Sequence, residues 1–147
     1  MSNVLVFGHQ NPDNDAIMSS VVLSQLLNQV EFDGNTYQAC CLGPLPAESA
    51  KLLEDNGVAA PMLIDAIEPA DEGEEAQLVV LCDHNEPGQS VTGLENAVIA
   101  GVVDHHRFGN FTTAAPLHIV ALPWGSSCSI VAKLFEVRGV EPADVQA

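Results

Sequence analysis

The chain is poor in basic residues, in aromatic residues and in long apolar runs. Its 147 residues include only four Lys and Arg against 20 Asp and Glu, which gives a formal net charge of −16. Such a charge repels nucleic acid and anionic membranes unless metal ions intervene, and an aromatic content of 5% offers few platforms for stacking on bases. No apolar stretch approaches the ~20 residues that a membrane span needs. We therefore expect neither a nucleic-acid partner nor a membrane partner.

The cysteines do not form the pattern of a disulfide framework or of a thiolate zinc site. The chain has four, and no two of them have CxxC spacing. Cys40 and Cys41 are adjacent, where pairing is strained, while Cys82 and Cys128 lie in apolar segments. We predict four buried thiols. The N-terminus has no basic region, and the apolar run at positions 4–7 is too short for a signal-peptide core, which predicts a cytoplasmic location.

Short apolar runs alternate with helical patterns along the chain. The length and a hydrophobic content of 47% indicate one globular domain. The expected strands are 3–8, 36–42, 61–64, 77–82, 98–103 and 117–122, and the expected helices are 15–30, 47–57 and 126–139, with another starting at Glu141. Asn14 or Asp15 is expected to cap the first helix, and the acidic run from Asp65 to Glu75 is expected to be a solvated loop. The alternation predicts an α/β fold with a mainly parallel sheet flanked by helices.

Polar residues that could bind metal ions follow three of the expected strands. The clusters are His9-Gln10-Asn11-Pro12-Asp13-Asn14-Asp15, Asp83-His84-Asn85-Glu86 and Asp104-His105-His106-Arg107. They contain four of the five histidines; the fifth, His118, is alone on a strand and is expected to be an ordinary hydrogen-bonded residue. In parallel sheets, ligands bind beyond the carboxyl ends of the strands, which is where all three clusters fall.

The residue types in these clusters indicate a metal centre. Imidazole and carboxylate ligands without thiolate suit Mn²⁺, Mg²⁺, Fe²⁺ or Co²⁺. The five candidate ligands are His9, Asp13, Asp15, Asp83 and His105. They are too many for one metal that keeps open positions, whereas two metals ~3.5–4 Å apart and bridged by one carboxylate would use them all. One cluster alone could be a helix cap or a turn, but three together favour hydrolysis of a phosphate bond.

These clusters resemble the three signature motifs of the DHH phosphoesterase superfamily. The forms DHNE at Asp83–Glu86 and DHHR at Asp104–Arg107 are similar to those of the manganese-dependent family II inorganic pyrophosphatases. The motifs are in the same order, and the resemblance spans residues 1 to about 140. It implies a DHH domain that hydrolyses inorganic pyrophosphate to two phosphates.

The resemblance also implies a role for each ligand. His9 and Asp13 would hold one Mn²⁺, Asp15 and His105 would hold the other, and Asp83 would bridge the two, with Co²⁺ or Mg²⁺ as alternative metals. A hydroxide between the metals would attack one phosphorus of pyrophosphate. Asp83 and His106 would be the catalytic residues, with His106 near the bridging or leaving oxygen.

The other motif residues receive less definite roles. Asp104 would fix an imidazole, whereas the resemblance gives no firm role to His84, Asn85 or Arg107.

The members of that family are longer, two-domain proteins. Residues 1–147 would be the metal-binding catalytic domain, with the C-terminal substrate-clamping domain absent from this sequence. The resemblance also implies a homodimer that associates through this domain. Lys51, Lys133 and Arg138 fall on expected helices away from the clusters, so we expect the isolated chain to hydrolyse little. Two alternatives stay open: a DHH phosphodiesterase acting on short oligonucleotides or polyphosphate, and a non-catalytic metal-binding or dimerisation module.

Overall fold

A computed structural model of the chain describes residues 2–30 and 34–142. Within these residues, six strands form one sheet: β1 (Asn3–Phe7), β2 (Thr36–Cys41), β3 (Met62–Leu63), β4 (Gln77–Cys82), β5 (Ala97–Asp104) and β6 (His118–Ala121). The helices are α1 (Asn14–Val30), α2 (Ala47–Asp55) and α3 (Ser127–Arg138), and single 3₁₀ turns cover Pro87–Gln89 and Leu94–Asn96. The strand order is β3-β2-β1-β4-β5-β6, and every pair is parallel. The predicted α/β fold with a parallel sheet is confirmed.

The predicted elements are present, and their bounds differ from the expected ones by at most two residues. β4 has the predicted bounds, whereas β3 has only two residues. Gly57 follows α2 with a φ of +65°, and Gly139 follows α3 with a φ of +66°. This left-handed conformation is the usual end of a helix and is easiest for glycine. The helix expected to start at Glu141 would fall mainly on residues 143–147, which lie outside the described residues.

The start of α1 differs from the sequence expectation. Asn14 and Asp15 do not cap the helix, because both are helical and the carboxylate of Asp13 accepts the Ala16 N–H at 2.9 Å. The side chain of Asn14 instead accepts the hydroxyl of Ser49 in α2 at 2.9 Å. Three residues in a row could have capped this helix, and contacts with other elements decide which one does.

Helices cover one face of the sheet and loops cover the other. Successive side chains of a strand point to opposite faces, and in β1 Val6 belongs to a core cluster under the helices while Phe7 belongs to a second cluster. α1 and α3 pack against each other on the first face, around Leu23 and Ile130. The second face is covered by the 3₁₀ turns and by the loops at 64–76 and 105–117. The sheet is therefore buried on both faces.

The cysteine and charge expectations are largely confirmed. Cys40, Cys41 and Cys82 are buried free thiols, but Cys128 is only partly buried at the first turn of α3. The acidic residues between positions 65 and 75 lie exposed in a loop. Among the described residues, no helix is both long enough and apolar enough to cross a membrane.

Candidate metal centre

The three polar clusters meet at the carboxyl edge of the sheet, around Asp83. The strands that lead into them, β1, β4 and β5, are neighbours. Asp83 is 2% exposed. Its Oδ2 lies 3.2 Å from His9 Nε2, and its Oδ1 lies 2.9 Å from His105 Nε2. The two oxygens of one buried carboxylate therefore face two different imidazoles.

Each of these imidazoles has a second carboxylate beside it. His9 Nε2 is 3.7 Å from Asp13 Oδ1, and His105 Nε2 is 3.6 Å from Asp15 Oδ2. We call His9 with Asp13 the outer pair and His105 with Asp15 the inner pair. The five residues that the sequence offered as ligands thus come together, with Asp83 between the two pairs.

The backbone at Asp83 turns sharply out of β4. Its φ is +57°, in the left-handed region that most side chains avoid and that Asp and Asn tolerate best. The Asp83 N–H still donates to the Val103 carbonyl at 3.1 Å, which extends the pairing with β5. This conformation ends the strand within one residue and holds the carboxylate against His9 and His105.

The imidazoles of His9 and His105 are both held through their Nδ1 atoms. His9 Nδ1 lies 2.7 Å from the Gln10 carbonyl oxygen, and His105 Nδ1 lies 3.0 Å from that of Trp124. A carbonyl oxygen only accepts, so Nδ1 carries the hydrogen in each ring. In the neutral ring, Nε2 then keeps its lone pair, which is the tautomer that a metal-binding histidine needs.

α3 supplies the groups that orient Asp15. The Ser127 N–H donates to Asp15 Oδ2 at 2.8 Å, and the Cys128 N–H donates to Oδ1 at 2.9 Å. Burial disfavours the charged carboxylate, but these bonds outweigh it and lower the pKa of Asp15. The sequence suggested that amides at a helix N-terminus would orient Asp15. They belong to α3, more than 100 residues further along the chain.

The electrostatics at Asp83 favour a cation. Burial raises the pKa of the Asp83 carboxyl, against the effect of the hydrogen bond from His9, and the nearby Asp15 charge raises it further. The same hydrogen bond raises the pKa of His9 to about 9, although burial opposes this. In the described part of the chain, the ion pairs of these carboxylates are all with histidines. Three carboxylates and two imidazoles without a Lys or Arg are a donor set that fits divalent metal ions.

The third cluster holds a further imidazole, that of His106. Its Nδ1 lies 2.7 Å from Asp104 Oδ1 and 3.7 Å from Asp83 Oδ1. The His106 side chain is 49% exposed, whereas Asp104 is fully buried. With His9, Gln10 and Asp83, His106 lines an open cleft of about 380 Å³. Asp104 therefore fixes an imidazole, as expected, and leaves that imidazole accessible from the cleft.

Comparison with known proteins now identifies the domain. Residues 3–146 match the family described as DHH family, N-terminal domain. The chain belongs to the DHH family.

Proteins and structures similar to this DHH domain carry pyrophosphatase names. Three proteins from Streptococcus agalactiae (strains A909, 2603 V/R and NEM316), each named "Probable manganese-dependent inorganic pyrophosphatase", are 44% identical over 140 residues. These matches cover 95% of this chain and 43% of each relative. A crystal structure from Methanococcus jannaschii, described as a "putative family II inorganic pyrophosphatase", has a TM-score of 0.77 at 31% identity, and the match covers 93% of this chain and 40% of that one. The DHH domain thus spans less than half the length of these relatives.

Two motif residues without an expected role, His84 and Asn85, are buried in the DHH domain. His84 Nδ1 lies 2.8 Å from the Cys82 carbonyl oxygen, and its Nε2 lies 2.9 Å from Ser90 Oγ. Burial lowers the pKa of His84 to about 4, so the ring is neutral. Both residues directly follow a strand that is buried on both faces, and polar side chains in such a place must find partners inside the protein. The position of His84 and Asn85 after a buried strand could therefore have predicted a structural role for both.

His118, Lys51 and Lys133 lie apart from the candidate metal centre. His118 is exposed at the start of β6. Lys51 pairs with Asp55 at 2.9 Å within α2, and Lys133 lies 3.3 Å from Glu136 within α3. The four cations of the sequence are Lys51, Arg107, Lys133 and Arg138, and only Arg107, next to His106, belongs to a motif.

Proposed function

We propose that this DHH domain carries the two-metal centre of an inorganic pyrophosphatase, an enzyme that hydrolyses pyrophosphate to two phosphates with Mn²⁺. The observation that carries the proposal is the position of Asp83, with one oxygen facing the outer pair and the other facing the inner pair at 3.2 and 2.9 Å. The names of the Streptococcus agalactiae and Methanococcus jannaschii proteins support this substrate, and the former support manganese.

In this proposal, the outer pair and the inner pair each hold one Mn²⁺, and Asp83 is shared. Bound metals would lower the pKa of a water and neutralise charge on the phosphoryl group. The nitrogen and oxygen donors also suit Co²⁺ and Mg²⁺. The chain's own contribution is to present five ligands in fixed orientations, four of them through hydrogen bonds to backbone groups: His9, Asp13, Asp15 and His105.

His106 would act on the substrate. Its Nδ1 donates to Asp104, so only Nε2 is available toward the cleft. In this orientation Nε2 would face a leaving phosphate oxygen and could exchange a proton with it. Asp83 and His106 are therefore the two residues to which we assign catalytic roles.

A second, cation-rich domain would complete the site. Pyrophosphate is strongly anionic, and positively charged groups must orient it during phosphoryl transfer. Lys51 and Lys133 pair with acidic neighbours of their own helices, which supports a metal-binding role for the domain rather than a substrate clamp. We propose that the 147-residue chain hydrolyses little on its own and works with a clamping domain.

An assay of phosphate release tests the function. The chain, alone and joined to the remaining part of a Streptococcus agalactiae relative, would be given pyrophosphate with and without Mn²⁺. We expect Mn²⁺-dependent release by the joined form, its loss in Asp83→Ala, and no change in Asp55→Asn, which alters an exposed acid remote from the site. Cleavage of dinucleotides but not of pyrophosphate would contradict the proposal and favour the phosphodiesterase alternative. Tight Mn²⁺ binding without hydrolysis by either form would favour the non-catalytic module.

We also propose that the protein is a cytoplasmic homodimer that associates through this domain. The family resemblance supports the dimer, and the net charge of −16 supports the expectation that neither nucleic acid nor a membrane is a partner. Size-exclusion chromatography with light scattering should give twice the 15.5 kDa chain mass. A monomer over the whole accessible concentration range would contradict this part of the proposal.

A further inference from the structure

Asn85 makes three hydrogen bonds to residues 104–109, at the end of β5 and just after it. It is 1% exposed at the end of β4. Its Nδ2 donates to Asp104 Oδ2 and to the Arg107 carbonyl oxygen, both at 2.8 Å, and its Oδ1 accepts the Gly109 N–H at 3.0 Å. The side-chain amide thus uses both of its hydrogens and its oxygen on one short stretch of chain. Asn85 fastens residues 104–109 to the neighbouring strand end.

Asp104, the first of these partners, is a fully buried carboxylate with donors on both oxygens. Oδ1 accepts the N–H groups of His105 and His106, at 2.8 and 3.2 Å, and His106 Nδ1 at 2.7 Å. Among the hydrogen bonds of the described residues, the one to Oδ2 comes from Asn85. A carboxylate that is held at both oxygens cannot rotate about its Cβ–Cγ bond. Asn85 therefore sets the plane of the Asp104 carboxylate, and with it the direction of the bond to His106.

We propose that Asn85 is a positioning residue for His106. By fixing the Asp104 carboxylate, it keeps the hydrogen of the His106 ring on Nδ1 and holds Nε2 free for the cleft. The inference deepens the proposed function and rests on it, because His106 meets a substrate only if the cleft binds pyrophosphate. Asn85 itself does not line the cleft, so it would act through Asp104.

The neighbouring His84 serves the opposite side of the centre. Its Nε2 contacts Ser90 Oγ, and the Ser90 carbonyl accepts the Gln10 side-chain amide at 2.5 Å. The Gln10 backbone N–H donates to Gln89 at 2.8 Å. His84 thus connects toward the first cluster and Asn85 toward the third. Loss of Asn85 should consequently disturb His106 and leave His9 unchanged, which supplies a control inside the same molecule.

The test is the ring tautomer of each histidine. Long-range ¹H–¹⁵N spectra of the metal-free, ¹⁵N-labelled 147-residue chain, recorded at high pH where the imidazoles are neutral, distinguish Nδ1–H from Nε2–H. We expect His106 to be Nδ1–H in the wild type and to become a mixture of both tautomers in Asn85→Ala. His9 should keep its Nδ1–H form in both proteins.

Two further variants separate positioning from a general loss of stability. Asn28→Ala is the matched control, because Asn28 also exchanges hydrogen bonds with a neighbouring strand, at 3.0 and 2.8 Å to the Tyr37 backbone, but far from the centre. We expect it to leave the His106 tautomer unchanged. Asn85→Ser leaves a hydroxyl for one backbone partner and replaces Asn85→Ala should that protein not fold. Circular dichroism verifies the fold of each variant.

Metal titration and activity complete the experiment. Substitution of a residue that orients the groups of a metal centre through a hydrogen bond typically costs about 10–100-fold in activity or affinity. For Asn85→Ala in the joined form, we expect kcat to fall by a factor in that range. The Mn²⁺ affinity should change by less than about 10-fold. An unaltered His106 tautomer in both Asn85 variants, or an equal change in Asn28→Ala, would overturn the inference whatever the activity. Absence of pyrophosphate hydrolysis by the wild-type joined form would instead overturn the proposed function, and the tautomer result would still decide whether Asn85 positions His106.

Discussion

The outer pair (His9 and Asp13) and the inner pair (His105 and Asp15) each contain one histidine and one aspartate, but different parts of the fold hold the two aspartates. Asp13 of the outer pair is 66% exposed, and its recorded hydrogen bond comes from the start of its own helix, the Ala16 N–H. Asp15 of the inner pair is 19% exposed and accepts two N–H groups from α3. Local chain geometry places the first carboxylate, and tertiary packing places the second.

This difference shows that one residue type can be positioned at a candidate metal centre in two ways. Removal of Asp13 should disturb the fold only at the start of α1, whereas Asp15 also accepts the first N–H groups of α3, which have no partners within their own helix. Asp15 is therefore both a candidate ligand and a cap for a distant helix. Substitutions at the two positions should affect metal binding alike and stability differently.

The largest effect on metal binding is expected at Asp83, because its carboxylate faces both the outer and the inner pair. Asp83→Ala removes the carboxylate that faces both pairs. Loss of a residue that only supports a ligand costs up to about 100-fold in affinity, so we expect Mn²⁺ binding at both pairs to weaken by more than this. Turnover of pyrophosphate by the joined form should fall to background. Isothermal titration calorimetry with Mn²⁺ measures the affinity, and Asp55→Asn is the control. Retention of one full-affinity Mn²⁺ would mean that Asp83 is not shared.

Asp15→Ala should have the second largest effect, because it combines loss of a ligand with loss of a helix cap. Removal of a capping side chain costs about 1 kcal/mol and up to about 2 kcal/mol, and two N–H groups lose their acceptor here. We expect the free energy of unfolding of the metal-free chain to fall by about 2 kcal/mol, measured by urea denaturation. One of the two Mn²⁺ equivalents should be lost in a calorimetric titration.

Asp13→Ala should have a smaller effect on stability. It removes one hydrogen bond at the start of α1, so we expect a loss of about 1 kcal/mol by the same urea measurement, together with the loss of one Mn²⁺ equivalent. Equal destabilisation by Asp13→Ala and Asp15→Ala would refute the contrast between a carboxylate held by local hydrogen bonds and one held by tertiary contacts.

His118→Ala should have the smallest effect of all. His118 is exposed at the start of β6, outside the three clusters, and surface substitutions of this kind change stability by about 0.5 kcal/mol or less. Urea denaturation and the Mn²⁺ stoichiometry should both match the wild type. A loss of metal would show that the centre extends beyond the clusters.

The sequence predicted the sheet because its signal is local. The apolar run at Gln77–Cys82 identifies β4 by itself, and polar residues after three such strands must gather at one edge once the strands are parallel. The convergence around Asp83 follows from that rule without knowledge of any contact. The positions of the helix ends at Gly57 and Gly139 were similarly readable, because glycine in the left-handed conformation is a local device.

The details that escaped prediction depend on distant contacts. Asn14, Asp15 and Asp13 are equally good caps by type, and only the partners in α2 and α3 decide that Asp13 takes this role. The partial exposure of Cys128 follows from its place at the first turn of α3, which an apolar sequence context does not reveal. The role of Asn85 requires knowledge that residues 104–109 lie beside it.

The contact between Asp15 and α3 joins residues that are 112 positions apart. A chain emerging from the ribosome contains all three clusters once residue 107 is made, yet Asp15 acquires its backbone partners only after Ser127 and Cys128 have followed. Contacts between distant residues form late in folding, because closing a long loop reduces chain entropy before the contact can compensate. We therefore expect the inner pair to be completed late in folding. A metal ion in the inner pair would then be bound more tightly by the folded domain than by its folding intermediates.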